Sequence, residues 1–282
     1  MTSQSYCYDL HSHSTASDGI FSPADLMQRA VVNQVNVLAL TDHDTIKGLL
    51  AAHQYIKRHS LPLHLVNGVE ISTCWKNSEI HIVGLNIDVT SKPLNMLLDA
   101  QENQRIERAK EIAYKLKKVS IDDAYEQAQI YAKGDIVSRA HFARFLIDKG
   151  YAKDMKRAFK KYLGKSGYAY VAPKWTTIEE AICVIHLAKG QAVLAHPSRY
   201  DLTLSKMRTL IGYFKQHGGD AIEVSQSRQT VDELNILAKF ARDFDLLASQ
   251  GSDFHDAMNY LDLGKTQPLP ENVLPIWHNW SL

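Results

Sequence analysis

Val35-Asn-Val-Leu-Ala-Leu40-Thr-Asp42-His43-Asp44 is an apolar, β-type run that breaks off into an imidazole flanked by two carboxylates. The pattern recurs along the chain. Tyr6 to Leu10 runs into His11 and His13, Leu63 to Val69 into Glu70, and Ala192 to Ala195 into His196. Ile80 to Leu85 holds His81, Leu246 to Ser249 precedes Asp253 and His255, and Ala221 to Val224 completes seven candidate strands. Helix-patterned segments lie between them. Ser22-Pro23 is an N-cap with proline at the first helical position, opening a helix to about Gln34, and another starts at Asp44. Thr177 with Glu180 forms a capping box, and helices at Leu204 to His217 and Thr230 to Asp243 fill the late crossovers. Alternating strands and helices predict βα units around a parallel sheet, and seven strands suggest a barrel.

Between Leu85 and Ala192 the strand pattern stops. Asn95 to Tyr162 reads as several helices, with Ile106, Ala109, Ile112, Ala113 and Leu116 at helical spacing. The expected organisation is a barrel from residues 1–94 and 173–282 with a helical, basic insertion over 95–172. The net charge of +1 over 282 residues conceals that insertion: Arg105 to Lys165 carries 16 Lys and Arg against 8 Asp and Glu, so the rest of the chain is acidic. Such a segment is either a set of solvated helix faces or a surface for polyanions.

An apolar fraction of 45% excludes disorder, and no apolar stretch approaches the roughly 20 residues that span a bilayer. The first ten residues lack a charged start followed by an apolar run, so no secretory signal is expected and the protein is placed in the cytoplasm, away from membranes. Cys7, Cys74 and Cys183 have no Cys-x-x-Cys spacing and are read as small buried apolar residues. Gly164-Lys165-Ser166 lacks the upstream glycine of a P-loop, because Phe159 stands there.

Barrel enzymes gather their active residues where strands end. His11, His13, Asp18, His43, Glu70, His81, His196, Asp253 and His255 nearly all fall at such points, whereas His53, His59 and His217 scatter over helix faces. A donor set of imidazole and carboxylate without thiolate suits Zn, Mn or Fe engaged in hydrolysis. Nine donors are too many for one ion, so two or three are implied. Clustered ions acidify a water and clamp the attacking and leaving oxygens of an in-line phosphoryl displacement.

Asp9-Leu-His-Ser-His-Ser-Thr-Ala-Ser-Asp18-Gly, Thr41-Asp42-His43-Asp44, Gly68-Val-Glu70-Ile-Ser, His196-Pro and Gly251-Ser-Asp253-Phe-His255 together resemble the PHP (polymerase and histidinol phosphatase) family. Glu79-Ile-His81-Ile-Val-Gly-Leu-Asn, Ser138-Arg139-Ala-His141-Phe-Ala-Arg144-Phe and Ala195-His196-Pro-Ser-Arg199-Tyr200 are similar to its bacterial RNase AM (TrpH-like) phosphoesterase branch, and the likeness spans nearly the whole chain. The resemblance implies a distorted (β/α)7 barrel of the α/β class with three divalent ions, Mn²⁺ first, with Zn²⁺ or Fe²⁺ as alternatives. It assigns His11, His13, Glu70 and Asp253 to one ion, Asp18, His43 and His255 to a second, and His81 and His196 to a third that Glu70 bridges. Asp18, His43, Glu70 and Asp253 would then carry catalysis.

The implied activities are 5′-to-3′ exoribonuclease on RNA with a 5′-monophosphate and phosphatase on 3′,5′-bisphosphate nucleotides, with metal-bound hydroxide attacking phosphorus. Arg139 and Arg199 are the expected phosphate donors, because planar guanidinium groups match phosphate oxygens bidentately, with Ser138 and His141 beside them. Two rivals stand: a phosphatase for a small metabolite such as histidinol phosphate, and a non-catalytic module. The complete donor set argues against the second, and the basic insertion favours nucleic acid over the first.

Overall fold

The structure is a computed structural model and describes residues 6–76, 78–134, 136–257 and 261–281. The elements in chain order are β1 (Tyr8–Asp9), α1 (Pro23–Val32), β2 (Val37–Leu40), α2 (Lys47–His59), β3 (His64–Trp75), β4 (Ser78–Leu85), α3 (Lys92–Lys117), α4 (Ala124–Tyr131), α5 (Arg139–Asp148) and α6 (Met155–Ala158). A π-helical turn, Phe159–Leu163, continues α6. Then come β5 (Thr176–Thr177), α7 (Ile178–Leu187), β6 (Gln191–Leu194), α8 (Leu204–Gln216), β7 (Ala221–Gln226), α9 (Val231–Asp243) and β8 (Leu247–Gly251). The capping signals work as expected: Ser22 accepts from the Asp25 N–H, and Thr177 and Thr230 form capping boxes with Glu180 and Glu233.

Seven strands follow the order β1-β2-β3-β4-β6-β7-β8, with the short β5 beside β3. The ends nearly meet, since the Leu10 N–H donates to the Gln250 carbonyl at 3.0 Å and Ser12 bridges Phe254 in parallel. Closure demands glycine at residue 251, where an added Cβ would lie 2.3 Å from that of His11. Leu10, Val37, Ala39, Val66, Val83, Leu85, Val193 and Ala195 fill the interior as a packed core.

The sheet is mixed rather than parallel. β4 runs antiparallel to both β3 and β6, because residues 76 and 77 alone separate β3 from β4 and so short a link permits only a hairpin. His81 consequently lies in the first half of β4, yet reaches the barrel end where the parallel strands finish. Helix α2 also begins later than expected, at Lys47. Asp44 has φ 51°, and its carboxylate accepts from the Ser72 N–H and from Arg105 instead of opening a helix.

Helix α3 joins two cores. Leu94 and Leu98 pack with the barrel's outer layer, while Ala109, Ile112 and Leu116 pack with Phe142, Phe145, Leu146 and Leu163 in a separate cluster drawn from α3 to Val171. That second cluster is docked against the barrel's first loop, for a Cβ at Gly134 would lie 2.6 Å from the Thr15 carbonyl oxygen. Cys183 departs from its expected burial. It is exposed on α7, whose Ile178, Ala181, Ile182 and Ile185 face inward, and Cys7 and Cys74 are half-buried. Among the described residues, no helix is long and apolar enough to cross a membrane.

Candidate metal centre

The barrel end collects all nine predicted donors. His11 and His13 follow β1, His43 follows β2 and bridges Glu70 of β3, His81 comes from β4, His196 follows β6, and Asp253 and His255 follow β8. His196 (φ 30°) and Asp253 (φ 52°) hold left-handed backbone, a conformation costing roughly 1–3 kcal/mol outside glycine and characteristic of sites that impose geometry. Aspartate tolerates it better than histidine.

Three groupings form. His11 Nε2 and His13 Nε2 are 3.1 Å apart; Glu70 Oε2 lies 3.2 Å from each, and Asp253 Oδ1 lies 3.4 Å from the first and 3.1 Å from the second. A tetrahedral ion with ligand bonds of 2.0–2.1 Å would space its donors about 3.3 Å apart, so these four atoms fit one. Around Asp18 stand His255 Nε2 at 3.2 Å, His43 Nε2 at 3.9 Å and His13 Nδ1 at 4.0 Å. The third grouping is His43, Glu70 and His81, with His196 Nε2 2.9 Å from Glu70 Oε1. Glu70 belongs to two of the three and is fully buried.

Among the described residues, buried Glu70 Oε2, Asp18 Oδ1, His13 Nδ1 and His43 Nδ1 make no well-directed hydrogen bond, although Glu70 Oε2 and His43 Nδ1 lie 2.9 Å apart. Unpaired polar atoms at such depth are costly unless they coordinate a cation. The field of the carboxylates also calls for positive charge. Burial opposes protonation of His13, yet Asp253 and Glu70 raise it to about 9, and against the same opposition Glu70 and Glu79 raise His81 to about 10. Glu70 and Asp18 are held well below the usual carboxylate range, where burial alone would raise them, by the surrounding histidines.

Other buried carboxylates position the donors. Glu223 of β7 takes His11 Nδ1 at 2.6 Å and the His196 N–H at 2.6 Å. Asp42 accepts from Ser14 and Ser17, and Asp9 accepts from the Ser252 and Gly264 N–H groups. The His81 N–H donates to the Tyr200 hydroxyl. Glu223 was missed in the sequence; its signal was a lone charge inside the apolar run Ala221 to Val224.

A cleft beside the donors is lined by Asp18, His43, His81, Arg105, Arg108, Arg139 and Trp175. Arg139 Nη2 donates to Glu79 Oε2 at 2.7 Å, and Arg108 Nη1 is 3.6 Å from Glu79 Oε1, so two guanidinium groups share one carboxylate. Ser138 caps α5 and lines the same cleft. Buried His141 completes the cap, its Nδ1 accepting from the Ser138 N–H at 3.0 Å. Arg199 donates to Asp253 Oδ2.

A barrel that converges imidazoles and carboxylates on metal-sized cradles, with arginines alongside, has the makings of a metal-dependent phosphoesterase. The chain belongs to the PHP domain family, whose model matches residues 9–172. It is 48% identical to the 5′-3′ exoribonuclease Rnm of Escherichia coli, over 99% of this chain and 96% of that protein. It is 38% identical to a 3′,5′-nucleoside bisphosphate phosphatase of Chromobacterium violaceum, over 95% and 94%. The structure of an amidohydrolase from C. violaceum, solved with sulfate and no metal, matches with a TM-score of 0.90 at 38% identity, covering 96% of this chain and 94% of that one.

Proposed function

We propose that this protein is a divalent-metal-dependent phosphoesterase that releases nucleotides from the 5′ end of 5′-monophosphorylated RNA and hydrolyses 3′,5′-bisphosphate nucleotides. The observation that carries this reading is the cradle of His11, His13, Glu70 and Asp253 next to a cleft holding more guanidinium than carboxylate charge. Likeness to both an exoribonuclease and a bisphosphate phosphatase over nearly the full chain supports it. Such substrates put the activity in the cytoplasm.

In this reading three ions, Mn²⁺ in preference to Zn²⁺ or Fe²⁺, would be held by His11, His13, Glu70 and Asp253, by Asp18, His43 and His255, and by His81 and His196 together with Glu70. Bound ions supply an acidified water and neutralise charge on the phosphoryl oxygens. The protein's own groups do the rest. Glu223 keeps the His11 ring oriented by accepting a hydrogen bond from its Nδ1–H, leaving the Nε2 lone pair for the ion. Arg139, at the start of α5, binds the substrate's 5′-phosphate, and Ser138 turns it toward the cleft. Arg199 steadies Asp253 while facing the scissile phosphate. His141 holds the α5 terminus in place. Residues 95–172 cover the barrel end as a substrate lid.

The test is incubation of 5′-monophosphorylated RNA and of adenosine 3′,5′-bisphosphate with Mn²⁺ and with chelator. Mononucleotides from the 5′ end and release of inorganic phosphate are expected, both lost on chelation; activity that persists in chelator would refute the reading.

A further inference from the structure

On the outer side of the segment Met155–Leu163 lies a groove of about 660 Å³, lined by Tyr151, Lys153, Arg157, Lys160, Lys161 and Tyr168 and by no acidic side chain. Its size is that of a pocket that accepts a small organic ligand. Lys153 and Lys160 have no carboxylate partner among the described residues, and the pair Arg157–Asp154, at 3.7 Å and exposed, constrains Arg157 little. Tyr168 is 67% exposed and Tyr151 39%; each meets one inner ring, Tyr162 at 6.4 Å and Phe145 at 6.3 Å between centres, and the rest of its surface is open to stacking. One turn of chain separates the groove from the catalytic cleft. Phe159 lines the cleft and lies beneath the Arg139 guanidinium, 5.7 Å from its ring centre, and the next two residues, Lys160 and Lys161, line the groove.

Cations that follow a backbone, interleaved with aromatic faces on which any base can stack, are the means by which proteins hold single-stranded nucleic acid without regard to sequence. We infer that this groove binds the nucleotides downstream of the cleaved bond, so that an RNA whose 5′ end sits in the cleft passes over the Phe159 turn and rests on Lys160, Lys161 and Tyr168. The inference rests on the exoribonuclease reading and adds to it a second anchoring surface. Trimming one nucleotide at a time would then leave the rest of the strand held.

The experiment compares the metal-loaded wild-type protein with K160Q/K161Q and Tyr168→Ala, and with K57Q/R58Q, which removes two exposed charges from α2 on the barrel. Binding of a 3′-fluorescein, 5′-hydroxyl 12-nucleotide oligouridylate is followed by anisotropy from 50 to 300 mM salt, alongside kcat/KM for adenosine 3′,5′-bisphosphate. Removing two phosphate contacts should lower the steepness of log K against log salt by about 1.4 in K160Q/K161Q. Tyr168→Ala should weaken RNA binding about 5-fold or more. Bisphosphate hydrolysis should be unchanged, and K57Q/R58Q should match wild type. RNA affinity and salt slope equal to wild type in both groove variants would overturn the proposal, as would parallel loss of bisphosphate hydrolysis or equally tight binding of an oligoglutamate of matched charge. Because binding is read without cleavage, the groove is judged separately from whether the protein trims RNA.

Discussion

His11 Nδ1 and Glu223 Oε1 stand 2.6 Å apart across 212 residues of sequence, both fully buried, and this contact leaves His11 Nε2 facing Glu70 and Asp253. A carboxylate behind a ligating imidazole fixes its tautomer and raises its basicity. Glu223→Gln keeps the side chain's shape but removes its charge. Metal affinity should fall about 10- to 100-fold with little change in fold, as measured by calorimetric titration of Mn²⁺ into the stripped protein. Unchanged affinity would show that Glu223 serves only packing.

Glu70 is the hub of the site. Oε2 approaches His11, His13 and His43, and Oε1 approaches His81 and His196. Glu70→Gln should cost more than a residue that merely supports a ligand, hence more than about 100-fold in turnover, and should remove more than one equivalent of bound metal. Elemental analysis beside kinetics checks both; a variant with full metal content and wild-type rate would contradict the shared-carboxylate arrangement.

Arg139 shares Glu79 with Arg108, so its guanidinium is held at the cleft without being neutralised. Arg139→Ala should lower kcat/KM for phosphorylated substrate about 10- to 150-fold, the worth of a charge-assisted contact of roughly 1.5–3 kcal/mol, and leave metal content intact. Loss of metal with substrate affinity retained would place Arg139 among the groups that support the ions.

His141 gives a pH dependence of stability. Burial pushes its pKa down from 6.5 to about 4 in the folded protein, so between those values the unfolded chain binds a proton that the folded chain does not. Stability is therefore present above pH 6.5 and lost as pH falls toward 4, by on the order of 3 kcal/mol for this group. Asparagine at residue 141 supplies an acceptor for the Ser138 N–H without titrating. With both proteins in chelator, the stability of wild type relative to His141→Asn should decline as denaturation is measured from pH 7.5 down to 4.5; a constant difference would show that the folded-state histidine titrates normally.

The barrel and most of the clustered imidazoles and carboxylates were legible because they interrupt or directly follow an apolar run, and chemistry placed at strand ends leaves that mark; Asp18, in a turn after His13, bears no such mark. Strand direction leaves none, and only the two residues between Trp75 and Ser78 encoded the antiparallel β4. Asp44 looked like a helix start because aspartate favours N-caps, but its ion pair with Arg105, 61 residues away, was out of reach of any local pattern. The cationic stretch from Arg105 to Lys165 was visible as charge, whereas which of its residues line the cleft, as Phe159 does, and which line the groove, as Lys160 does, is set by helical facing and tertiary packing that composition does not announce.

In the proposed function one site recognises a 5′-phosphate and cuts at the next phosphoester, so that a 3′,5′-bisphosphate nucleotide is the shortest form of the RNA substrate. Adenosine 3′,5′-bisphosphate should therefore inhibit trimming of 5′-monophosphorylated RNA competitively, with an inhibition constant equal to its own KM when its turnover is slow relative to dissociation. Absence of inhibition, or inhibition that lowers kcat for RNA without raising KM, would contradict a single shared site.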